Sequence, residues 1–198
     1  MKTKEQNREE IKIKRVQLLV ANILIVLLVI FSITFLIYNQ QHYQENSVLK
    51  AIMIADNKFA ENLLIEKTAE EYYDLAGLDY EKEDYSSVEY NCKLARKYYS
   101  ESSQGYKNIK AELISKEINH KLINIYISMF EELIITQNNM YESCEHFEAA
   151  SRYYNLDNYY MGGEEIDSMN EKIRSHDIAI ERYNNLLAEY NLELNNID

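Results

Sequence analysis

From Val48 to Leu194 apolar residues return every three or four positions, the spacing of one face of an α-helix. Four stripes can be followed. The first runs from Val48 through Phe59 and Tyr73 to Tyr80, with one slip near Glu66. The second runs from Tyr85 through Cys92 and Tyr99 to Leu113. The third runs from Ile118 through Met129 and Phe147 to Tyr154, and the fourth from Ile166 through Tyr183 to Leu194. The stripes predict helices over 44–82, 84–116, 118–156 and 160–196, each roughly 50 Å long at about 1.5 Å per residue. Helices of that length bury their stripes together in a bundle or coiled coil. The predicted fold class is all-α: a long up-down-up-down four-helix bundle.

The polar positions add a second regularity. YEKEDY at Tyr80–Tyr85 and YNLDNYY at Tyr154–Tyr160 are alike, and an offset of 74 aligns Tyr80 with Tyr154, Asp84 with Asn158 and Tyr85 with Tyr159. The same offset aligns Tyr73 with Phe147 and Leu113 with Leu187. The chain therefore reads as two copies of one helical hairpin, 44–116 and 118–196. Asp84 and Asn158 are predicted N-caps of the returning helices, and Tyr85 and Tyr159 are placed at the same end. Tyr80, Tyr85, Tyr154, Tyr159 and Tyr160 form a candidate partner-binding tip, because tyrosine is favoured in interface hot spots. The Gly162-Gly163 pair reads as part of the second tip turn.

Ahead of the bundle, Val16–Tyr38 runs 23 residues without a charge. As a helix it covers about 34 Å, enough for a hydrocarbon core of about 30 Å. Residues 1–15 carry six basic and three acidic side chains. The positive-inside rule then places the head (1–15) in the cytoplasm and residues 39–198 outside the cell membrane, with 16–38 as a single transmembrane helix. An overall charge of −12 with +3 in the head leaves −15 for the rest. A domain so acidic repels a phosphate backbone, so no nucleic-acid partner is expected. Proline is absent and glycine occurs four times, which again favours long helices over a many-turned β fold.

Signals of chemistry are sparse. Cys92 and Cys144 lie on or near apolar stripes. Outside the cytoplasm they could pair as a disulfide, and each also suits a core position as a free thiol. Cys144-Glu145-His146 points its side chains to different helix faces. Glu117 and His120 match Glu-x-x-His, but the second such motif of a di-iron bundle is missing. No phosphate loop or nucleophile elbow occurs. The acidic stretch around Glu81–Glu89 has no glycine to bend a calcium loop. No cofactor, no metal and no enzymatic activity are expected.

Tyr72, Leu75, Ala76, Val88, Cys92 and Ala95 sit at the spacing of the packing positions of a tetratricopeptide repeat, which residues 72–100 weakly resemble. Asp79 stands where that family has an aromatic residue and Ser100 where it has proline. As a whole, one span followed by a long helical bundle resembles the four-helix-bundle sensor ectodomains of bacteria and archaea. The expected function is a membrane-anchored binding, scaffold or accessory subunit, with another protein or a second copy as partner. A sensory, small-ligand-binding ectodomain, with a pocket lined by Tyr98, Tyr99 and Tyr183, is the alternative.

Overall fold

The structure is a computed structural model that describes the backbone of residues 4–195. Within the first helix the side chains of 4–27, and of 29, 30, 37, 40–42 and 44, lie outside the described set. Four helices follow one another: α1 (Lys4–Glu81), α2 (Tyr85–Ser115), α3 (Lys121–Asn155) and α4 (Tyr159–Leu194). The chain divides into two compact units, Met1–Asn46 and Ser47–Asp198.

The predicted boundaries of α2, α3 and α4 agree with the structure to within three residues, and so does the end of α1. The start of α1 does not. The stripes predict it at 44, whereas the helix begins at Lys4, because the polar stretch 39–47 contains neither glycine nor proline to stop it. In the first unit, Ser32 donates its hydroxyl to the carbonyl of Leu28 at 2.8 Å, and Phe31 stacks near Phe35 at 6.4 Å. Most of the proposed span 16–38, with its flanking head, lies outside the described side chains. Among the described residues no helix is long and apolar enough to cross a membrane.

The second unit is an all-α bundle. Lys58 and Asn62 meet Glu112 and Ser102, Arg96 and Lys110 meet Glu145 and Glu131, and Lys121 and Glu142 meet Glu193 and Lys172, so each helix runs antiparallel to the one before it. Asp56 accepts from Tyr126, and Phe59 lies 6.0 Å from Phe130. These contacts bring α1 and α3, which run parallel, directly together across the centre. The consequence falls on α4. Its stripe residues Ile166, Ile173 and Leu187 are only half-buried, and its buried positions are Gly162, Ala179 and Tyr190. The four stripes are therefore not buried alike: α1 and α3 close on each other, and the α4 stripe stays half-buried.

The core has two apolar clusters. One holds Val48, Tyr106, Leu122, Phe130 and Tyr190, and the other Ala69, Val88, Cys92, Tyr99, Cys144 and Phe147. Between them lies a layer of buried polar residues: Asn62, Ser102, Ser103, Thr136 and Gln137. Asn62 donates to the Ser102 carbonyl at 2.9 Å and to its hydroxyl at 3.2 Å, and Ser103 donates to Asn138 at 2.9 Å. Thr136 donates to the Glu132 carbonyl at 2.9 Å, whereas the buried Gln137 Oε1 has no hydrogen-bond partner, the exception in a setting where most buried polar groups are paired.

Burial also sets an alkaline limit to stability. It pushes the Tyr73 hydroxyl and the Cys92 thiol up to about 12, while their hydrogen bond to Ser143 and nearby Arg96, respectively, pull the other way. Tyr80 is raised to about 12 by burial and by its bond to Tyr154. In the unfolded chain these groups ionise earlier, tyrosine near about 10 and cysteine near about 8.5. The folded values are raised, so their stabilisation is complete below the unfolded values and is lost as pH rises toward about 12. Denaturant midpoints measured between pH 8 and pH 12 (roughly the span of these ionisations) should fall continuously, alongside late appearance of tyrosinate absorbance. A flat midpoint would contradict this.

Candidate functional site: the tyrosine tip

The two tip turns are built alike, bond for bond. In the first, Glu83 N–H donates to the Tyr80 carbonyl and Asp84 N–H to that of Asp79, both at 3.0 Å. In the second, Asp157 N–H donates to Tyr154 at 3.0 Å and Asn158 N–H to Tyr153 at 2.9 Å. This is the Schellman pattern, which satisfies the last carbonyls of a helix through one residue in left-handed conformation. Glu83 (φ 58°) and Asp157 (φ 54°) take that position without being glycine, at a cost of about 1 kcal/mol each. The next residue caps the returning helix: Asp84 accepts from Ser87 N–H at 3.2 Å, and Asn158 from Met161 N–H at 3.3 Å. The Ser87 hydroxyl, which donates to the other Asp84 oxygen at 2.8 Å, and then the Ser87 N–H hold the Asp84 carboxyl below the usual carboxylate range.

The α2–α3 turn is different. Glu117 is left-handed (φ 53°) and His120 caps α3 through Nδ1, which accepts from Leu122 N–H at 3.2 Å. The Glu-x-x-His pair is thus a turn and a cap, and the turn separates α2 from α3.

With the turns fixed, the rings meet. Tyr80 lies 5.9 Å from Tyr85 and 5.8 Å from Tyr154. Tyr85 stacks on Tyr154 at 5.3 Å, and Tyr159 lies 5.9 Å from Tyr154. Phe147 supports Tyr80 from below at 5.4 Å. Tyr85 and Tyr159 are therefore at one end, joined through Tyr154. Tyr160 stands apart from the ring cluster, and its hydroxyl is held up by its bond to Glu164. Leu156, Tyr159 and Tyr160 are 64–75% exposed around this ordered base.

Gly162 and Gly163 lie inside α4 and not in the turn, because the Asn158 cap starts the helix before them. A Cβ at Gly162 would meet the Tyr154 ring at 2.7–3.0 Å, whereas one at Gly163 meets nothing within 4 Å. Gly162→Ala should therefore push Tyr154 off its seat and cost about 1–2 kcal/mol. Gly163→Ala should be neutral or stabilise by up to about 1 kcal/mol through helix propensity. Denaturant unfolding of both variants, with near-ultraviolet circular dichroism as a reporter of the rings, checks the contrast.

No protein family, curated protein or solved structure matches the chain. No family or structural match accompanies the spacing of residues 72–100. Within it Ala76, Val88, Cys92 and Ala95 are buried, and Leu75 faces solvent.

The other candidate residues are placed as follows. Cys92 and Cys144 share one core cluster, both buried and both free. Burial raises both thiols, Cys144 well above its ordinary value. Glu145 turns to Arg96 at 2.6 Å and His146 to Glu165 at 2.6 Å, so the Cys-Glu-His run diverges as its spacing requires. Among the described residues no group of His, Cys, Asp and Glu could hold a metal ion. In the acidic turn, Asp79 receives Lys82 at 3.1 Å and Asn91 at 2.9 Å, while Asp84 serves as a cap. Tyr98 stacks on Tyr72 at 5.7 Å, Tyr99 is buried in one core cluster and Tyr183 packs on the other.

A charged node between α2 and α3 was not anticipated. Glu148, 3% exposed, receives Arg96 at 2.8 Å and also Arg152. Arg96 further bonds Tyr141 Oη at 2.9 Å and lies 4.8 Å over its ring. Arg152 reaches Glu89 at 3.3 Å. Lys93, followed by Arg152, holds the Glu89 carboxyl below its usual range, against partial burial. The available signal was the i,i+4 pair Glu148–Arg152, one member of which falls in the apolar arc.

Proposed function

We propose that the chain is a single-pass membrane protein whose segment 16–38 spans the cell membrane, with its head (1–15) in the cytoplasm. Residues 39–198 stand outside it as an acidic bundle. The bundle, two similar hairpins in series, works as a binding, scaffold or accessory subunit and not as an enzyme. The observation that carries this reading is the tip. Leu156, Tyr159 and Tyr160 are exposed apolar and aromatic side chains on a base held by two Schellman turns and a ring cluster. Exposed aromatics on a pre-ordered support lose little side-chain freedom when a partner covers them. The strongly acidic surface argues for a protein partner and against nucleic acid.

A sensory reading would need Tyr98, Tyr99 and Tyr183 around one pocket, and these are divided between two core clusters. The test is a photo-crosslinking residue at Tyr160 in the full chain in its own host, with one at Asn184 on α4 as control. An adduct with a second protein from Tyr160 and not from Asn184 is the expected result. Equal labelling from both positions, or none from Tyr160, would overturn the tip as the binding surface.

A further inference from the structure

The part of α1 in the second unit is apolar on two opposite faces. One face, with Val48, Ile52, Ala55, Ala69 and Ala76, is buried in the bundle. At 3.6 residues per turn, Leu49, Met53, Leu64, Leu75 and Leu78 lie on the other side within an arc of about 80°. All five are exposed, between 42% and 67%. Met53, Leu64 and Leu75 recur at intervals of 11 residues, as do Leu49 and Ala60. An 11-residue repeat keeps such a stripe straight along a helix, or nearly so, over a length here of roughly 40 Å. A helix apolar on both sides is ordinarily covered on both.

We infer that this stripe is the seam of a parallel homodimer, in which α1 of one copy packs along α1 of another. The occupant follows from the stripe itself. Between Leu49 and Leu78 its only charged members are Lys67 and Glu71, opposite in sign and one turn apart. Neither takes part in an ion pair among the described residues. Side by side and in register, Lys67 of each copy comes within reach of the partner's Glu71. A partner without an acidic and a basic residue at this spacing would leave one of the two unmatched. The apolar surface available, roughly 1,000 Å² across two copies, meets the minimum for a biological interface and lies below the span of the stable ones. The parallel sense rests on the anchored reading above, since copies held by the same N-terminal segment in one bilayer have the same direction.

Single cysteines at Met53, Leu64 and Leu75, introduced into the full chain carrying Cys92→Ala and Cys144→Ala, test this in membranes exposed to a mild oxidant. Disulfide-linked dimers are expected at all three positions and not at Lys97→Cys on α2. Links at Leu64→Cys alone, with Met53→Cys joining Leu75→Cys on mixing, would mean an antiparallel pair and overturn the proposal. Absence of links at all three would also overturn it. As a second measurement in the otherwise native chain, Leu64→Glu with Leu75→Glu should halve the apparent mass in gentle detergent and leave the helical circular dichroism unchanged. A wild-type chain that already runs as a monomer refutes the dimer. Fractionating the same cells separates this from the anchored reading: links in a soluble chain would remove the anchor and keep the dimer, and a membrane-bound chain without links would do the reverse.

Discussion

Gly105→Ala should destabilise the bundle by about 3 kcal/mol, although alanine is the better helix former by about 1 kcal/mol. The reason is the approach of α1 to α2 at the polar layer. A Cβ at Gly105 would sit 1.9 Å from Asn62 Oδ1 and 2.5 Å from its Cγ. Asn62 is 4% exposed and donates two bonds to Ser102. It cannot yield without losing them, and a buried amide stripped of partners costs about 1–3 kcal/mol. Removing the obstacle reverses the expectation. In an Asn62→Ala background the added methyl occupies the vacated space, so Gly105→Ala should be neutral or stabilising there. The double-mutant cycle, read from denaturant midpoints, should give a coupling of at least about 2 kcal/mol between residues in contact. Additive effects would show that the two helices are farther apart than described.

The second large effect is at Glu148. Its carboxylate is enclosed, with Arg96 on one side and Arg152 on the other. Glu148→Ala leaves part of the Arg96 guanidinium facing an apolar wall, and breaking a buried pair from one side costs about 3–5 kcal/mol. Glu145 and Tyr141 still hold Arg96 at the rim, which places the expected loss near the lower figure. Replacing Glu148 and Arg96 together by methionine should recover most of the loss, because a well-packed apolar pair can match a buried ion pair. If Glu148→Ala alone left the unfolding midpoint unchanged, the node would be a surface feature.

These two sites show what the sequence concealed. Periodicity located α2, α3 and α4 within three residues, since each stripe is unbroken and each end carries a cap such as Asp84 or Asn158. The 74-residue offset predicted the paired tip because both turns need the same residue pattern around Tyr80 and Tyr154. It could not show that α3 would close on α1 and leave α4 half-buried, because that depends on side-chain sizes across helices and not along one. Gly105 gave no sign of its own in the sequence: Gly77 and Gly163 also lie inside helices, and a Cβ at either meets nothing within 4 Å. Its partner, Asn62, lies on another helix and has no sequence signature. The exposed stripe of α1 was hidden in the same way, since a helix apolar on two faces blurs its own periodicity.

The central claim is an anchored bundle presented outside the cytoplasm. The most direct measurement is protease accessibility of tags at the two ends of the chain, in intact cells and after lysis. The account predicts that a C-terminal tag is trimmed from outside while an N-terminal tag survives until lysis. A C-terminal tag protected until lysis would contradict it, placing the tyrosine tip and its partner on the cytoplasmic side.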